Sequence, residues 1–134
     1  MDTFDISIAD VKHCWHWVGP MVFDLLKETG QKTETAEVYH LLRSGEAMLV
    51  VAPEGFVILT IQAEDDESRG LLIWMAKAYK QGDDCVGKYI DFFKDLAHKQ
   101  ECVRLVTRTA IPEVGEHLSE HGWKTMETEY QLKV

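Results

Sequence analysis

The sequence predicts an α/β (α+β) fold in one domain, and three observations carry the prediction. Apolar residues recur at steps of three and four in helical segments. Between them lie short runs rich in β-branched and aromatic residues. Glycines and prolines sit at the boundaries, where turns and helix ends need them. The order read from the chain is strand, helix, helix, three strands, helix, strand, helix, strand.

The first strand is read at 4–8, with Ser7 or Asp10 as the N-cap of the helix that follows. Val11, Cys14, Trp15, Val18, Val22, Leu25 and Leu26 form its buried stripe. Gly19-Pro20 predicts a kink or a second short helix starting at Pro20, because proline lacks the N–H and crowds the preceding turn. Gly30 ends that segment. A second helix starts near Thr35, carries Val38, Leu41 and Leu42 on one face, and has Gly45 as a left-handed C-terminal cap. Two strands at 47–52 and 56–62, joined by Pro53-Glu54-Gly55, read as an antiparallel hairpin. An acidic loop at 64–67 precedes a third strand at 70–79. Next comes a helix with Val86, Tyr89, Ile90, Phe93 and Leu96 in register, and a strand at 102–107. Pro112 opens a short helix that Gly122 closes, and 123–134 reads as one final strand. Neither a repeat nor a linker divides 1–134.

Composition bounds the function. The chain has 134 residues, fourteen basic and twenty-three acidic, for a net charge of −9. Nucleic-acid binding is excluded on that balance, since phosphate contacts need lysine and arginine. Three cysteines without CxxC spacing suit a reducing compartment, so a cytoplasmic location is expected. No secretory leader pattern opens the sequence, and no apolar run reaches the roughly eighteen residues of a membrane span.

Chemistry concentrates at 71–87, where an apolar strand, LLIWMAKAY, runs into a glycine-bearing acidic turn, KQGDDCVG, that opens a helix. Backbone amides at such a junction suit an anion such as a phosphate. Asp83 and Asp84 oppose that role by charge, and Lys77, Lys80 and Lys88 are the cations that offset them. The plainer reading is an ordinary capped helix after a strand. Cys85 sits at the helix start, where a dipole lowers a thiol pKa, but the two aspartates act the other way and no histidine is adjacent. His13 and His16, with Cys14 between them, lack the further ligands a zinc site needs, so no metal is expected. The four tryptophans are chiefly core candidates; Trp17, opposite the apolar stripe, is expected to be exposed and to mark an interaction surface.

The element order, the strand-turn-helix at 74–93 and the helix-to-strand ending Leu118-Ser119-Glu120-His121-Gly122-Trp123 together resemble the GNAT superfamily of acyl-CoA-dependent N-acetyltransferases, over the whole chain. The resemblance implies a β-α-α-β-β-β-α-β-α-β order with a mixed, mainly antiparallel central sheet flanked by helices. It implies an acetyl-CoA cosubstrate held by Met75, Ala76, Lys77, Ala78, Gln81, Gly82, Asp84, Cys85, Val86, Gly87 and Lys88. Around Met75 to Ala78 a backbone amide would polarise the thioester carbonyl. Glu67, His117 and His121 are the base candidates, directly or through water, each with a plain reading as a solvated surface residue. The sequence departs from the family where its acid resides: Leu118 stands in place of the tyrosine that protonates the leaving thiolate, and Ile111 in place of an asparagine.

Two functions follow. One is N-acyl transfer from acetyl-CoA to an amine of a small molecule or a protein. The other is a catalytically degenerate GNAT-like module, similar to proteins of tailed phages and prophages, that works through a protein partner and would be virion-associated if phage-encoded. A homodimer through Trp17 or an unpaired edge of the last strand fits the second reading.

Overall fold

The computed structural model describes residues 6–63, 68–80, 85–108, 122–126 and 129–133. Contacts divide the chain into two compact units, Met1–Leu59 with Met75–Lys88 and Thr60–Trp74 with Tyr89–Val134. Among the described residues seven strands are hydrogen-bonded in the order β1-β2-β3-β4-β5-β7-β6, and β3 and β4 run through both units.

In the first unit, β1 (Ser7–Ala9) leads into α1 (Val11–Glu28), α2 (Thr35–Ser44), β2 (Ala47–Ala52) and the start of β3 (Gly55–Ala63). Asp10 caps α1 as predicted, its Oδ1 accepting from the Lys12 amide at 3.0 Å. A second helix starting at Pro20, one of the two outcomes expected there, does not occur: α1 is one helix of 18 residues with Pro20 inside it. Pro20 is exposed, and Gly19 serves packing instead of termination. A Cβ on Gly19 would lie 3.0 Å from the Trp15 indole, which the missing side chain lets lie across the helix. Val18, Val22 and Leu26 are buried, and from α2 so are Val38 and Leu42. Gly45 ends α2 in the left-handed conformation with φ +85°, as expected. β1 pairs antiparallel with β2, Ile8 opposite Val50. Two turn residues, Pro53 and Glu54, separate the adjacent strands β2 and β3, which is the predicted hairpin.

The second unit holds the first part of β4 (Arg69–Ala78), then α4 (Ile90–Lys99), β5 (Arg104–Arg108), β6 (Lys124–Met126) and β7 (Glu129–Lys133). β4 pairs parallel with β5, Leu71 opposite Leu105 and Ile73 opposite Thr107. Gly70 to Ile73 are buried in succession, the pattern of a strand covered on both faces. Phe93, Leu96 and Ala97 supply the buried face of α4.

Three predicted elements are corrected. The helix after the acidic turn is two: α3 (Cys85–Lys88) in the first unit, then α4, separated at Tyr89 with φ −110° and ψ 27°. Val86 and Gly87 are weak helix formers, so one turn is as far as that segment extends. The final strand is a hairpin, β6 pairing antiparallel with β7 in a register that sets Thr125 opposite Tyr130 along the backbone. β5 begins at Arg104 and not at Cys102, because the chain first closes α4. The Cys102 amide donates to Ala97 O at 2.8 Å and the Glu101 amide to His98 O at 3.1 Å, with Glu101 left-handed at φ 58°. That is a Schellman cap with glutamate where glycine is usual. The short helix predicted at Pro112 lies outside the described residues.

Among the described residues no helix is long and apolar enough to cross a membrane.

Candidate functional site

The end of β4 and the single turn of α3 flank the segment that the sequence singled out, and both lie in the first unit. Of the predicted cosubstrate contacts, Met75 is buried, Lys77 and Ala78 are half-buried, and Ala76, Gly87 and Lys88 are exposed, with Val86 between. Cys85 is the first residue of α3. Gln81, Gly82, Asp83 and Asp84 lie outside the described residues, as do the base candidates Glu67, His117 and His121 and the positions of Ile111 and Leu118.

The hairpin turn between β2 and β3 packs against these flanks. A Cβ on Gly55 would stand 1.9 Å from the Lys77 carbonyl oxygen, so β3 starts in direct backbone contact with β4. One residue earlier, Glu54 O accepts from the Tyr79 amide at 2.9 Å. The Glu54 carboxylate in turn forms an ion pair with the Lys88 ammonium on α3. Lys88 was expected to offset the aspartates of the turn; its charge is shared with Glu54.

Trp17 corrects another expectation. It is half-buried and not exposed, edge-on to Phe56 and to Tyr79 with ring centroids 6.2 Å away in each case. The ring therefore supports the β3 start and the β4 end. Aromatic pairs of this geometry contribute about 0.5–1.5 kcal/mol beyond their buried area. Nothing in the sequence signalled Glu54 as more than a turn residue, since its partner lies 34 positions away.

The other clusters resolve simply. His13 and His16 are exposed, and His13 Nε2 lies 3.7 Å from Asp10 Oδ2. Among the described residues no group of three or more histidine, cysteine, aspartate or glutamate side chains could hold a metal ion. Burial pushes the Cys14 thiol up, and the Asp10 carboxylate adds to it. Burial also raises the Cys102 thiol, against the opposing charge and hydrogen bond of Arg69. Both are therefore poor thiolates, and neither suits nucleophilic catalysis. A separate open groove of about 470 Å³ on α2, lined by Glu37, His40, Leu41, Ser44 and Glu46, shares no residue with the β4–α3 junction.

No protein-family model and no curated protein matches the sequence. Solved structures do match. The crystal structure of a probable acetyltransferase has a TM-score of 0.69 at 16% identity and covers 91% of each chain. The NatC complex bound to Gag peptide and CoA matches with a TM-score of 0.68 at 11% identity, over 98% of this chain and 99% of that one. An acetyltransferase of the GNAT family from Listeria monocytogenes 4b F2365 matches with a TM-score of 0.61 at 12% identity, over 96% and 95%. At such identities the likeness is one of architecture, and it extends along almost the whole length: this chain has the fold of the GNAT acetyltransferases.

Proposed function

We propose that the protein is an acyl-CoA-dependent N-acyltransferase of the GNAT superfamily, its 134 residues forming one GNAT-like domain. The observation that carries this reading is the acetyltransferase fold over nearly the full chain, with β4, the acidic turn and α3 in the order that the family uses for CoA. Ala76 and Gly87 are small and exposed, which fits the close approach of a bound pyrophosphate to both flanks. That one related fold was solved with CoA and a peptide supports acetyl-CoA and an amine acceptor as the ligand classes.

In the reaction, a neutral amine attacks the thioester carbonyl carbon while a backbone amide in 75–78 holds the carbonyl oxygen. The C–S bond breaks, the acyl group stays on nitrogen, and the departing thiolate takes up a proton as the amine gives one away. Glu67, His117 and His121 are our candidates to receive the amine proton. With leucine at 118, positioning carries most of the rate, and the missing acid removes a contribution of about two to four orders of magnitude.

One observation favours the second reading, a GNAT-like phage or prophage module that binds a partner without turnover. Lys88, a cation available to the turn, is engaged by Glu54, while Asp83 and Asp84 add negative charge there. Calorimetric titration with acetyl-CoA separates the two. Micromolar binding that Gly87→Glu weakens, in a variant with unchanged circular dichroism, supports the enzyme; absence of heat at millimolar acetyl-CoA overturns it. Release of free CoA thiol with a panel of amines and lysine peptides then identifies the acceptor.

A further inference from the structure

We propose that Glu54 is the positioning residue of the β4–α3 junction, fixing the spacing of the two flanks on which the proposed CoA site depends; its consequence for CoA rests on that functional reading. The hairpin turn reaches both flanks through one residue. Glu54 O holds the end of β4 by accepting the Tyr79 amide at 2.9 Å, and the Glu54 carboxylate holds α3 through Lys88. Tyr79 and Lys88 are nine positions apart in sequence, yet both are tied to the same residue.

Neighbouring contacts keep that residue in place. Gly55 lets β3 approach so closely that a Cβ there would meet the Lys77 carbonyl oxygen at 1.9 Å. Trp17 packs edge-on against both Phe56, next after Gly55, and Tyr79. The Glu54 side chain is 21% exposed and Lys88 57%, so the carboxylate is the fixed partner and the lysine the one being held. A turn of only four residues, Cys85–Lys88, has little stability of its own and takes its position from such an anchor.

The test is a double-mutant cycle with Glu54→Ala, Lys88→Ala and the double variant, read first by amide hydrogen exchange without ligand. Exchange at 86–88 is expected to quicken by about two- to five-fold in each variant and no further in the double, while Tyr79, whose amide bonds to the main-chain carbonyl that alanine at 54 retains, and the α2 amides stay unchanged, as fits one partly exposed ion pair. Additive effects, unchanged exchange at 86–88, or quickening that extends to α2 would overturn the proposal. Calorimetric titration with acetyl-CoA adds the functional arm: each variant is expected to weaken binding by the same two- to five-fold. A Lys88→Ala loss much larger than that of Glu54→Ala would overturn positioning in favour of direct phosphate contact by Lys88. Should the wild type bind no acetyl-CoA, the functional reading falls and the exchange cycle still decides the role of Glu54.

Discussion

Replacing Gly55 with alanine tests the packing of the junction most directly. The added Cβ would lie 1.9 Å from Lys77 O, 2.9 Å from Lys77 C and 3.0 Å from the Ala78 Cα, all backbone atoms that no side-chain rotation can clear. The strands must therefore separate. Overpacking of this kind costs about 1–3 kcal/mol. Weakening the adjacent Tyr79-to-Glu54 hydrogen bond adds about 1 kcal/mol. The expected loss is about 2–4 kcal/mol in urea denaturation. With roughly 2.1 cal/mol/K of unfolding entropy per residue, 134 residues convert this to a fall of about 7–14 °C in Tm. Gly45→Ala is the control, because its Cβ meets nothing within 4 Å and its cost is conformational alone, from φ +85°. That cost is about 1–2 kcal/mol. A Gly55→Ala loss below about 0.5 kcal/mol, or one no larger than that of Gly45→Ala, would refute the close approach of β3 and β4.

Other consequences are equally accessible. Glu101→Gly relieves the left-handed residue of the α4 cap at φ 58° and should raise Tm, by about 0.5–1 kcal/mol of stability; a lower Tm would show that the glutamate side chain holds the cap. Pro20→Ala supplies an N–H for the His16 carbonyl in the middle of α1 and should stabilise by about 1–2 kcal/mol, after allowing for the looser unfolded chain; an unchanged or lower melting point would mean the proline shapes the packing of α1. Because the folded thiol pKa values of Cys14 and Cys102 are raised, their contribution is complete below the unfolded value and is lost as pH rises through the folded values. Urea midpoints should fall as pH rises above the unfolded thiol value in the wild type and fall less in the variant Cys14→Ala, Cys102→Ala; equal slopes would remove the thiols as the cause.

Legibility followed the range of the interactions. The Asp10 cap, the Gly45 terminus and the strand at Ala47–Ala52 were readable because each depends on a few consecutive residues. A second helix at Pro20 did not form: the local penalty of proline is real, yet the buried stripe of Val18, Val22 and Leu26 holds α1 together across it. The last strand misled in another way: alternation marks extended chain but not where it reverses, and 123–134 folds back on itself. At the candidate site, the sequence identified the strand, the turn and the helix start but assigned Lys88 to the acidic turn and Glu54 only to the β2–β3 hairpin turn.

The sequence alone determined the class of fold, since the order of helical and extended periods and the caps between them are properties of neighbouring residues. Only tertiary structure decided that β4 and β5 run parallel, that Gly55 is required by the approach of another backbone, and that Glu54 joins both flanks of the junction. The physical reason is separation along the chain: an ion pair or a strand contact formed over tens of residues leaves no periodic mark, because its partners are chosen by packing and not by sequence spacing.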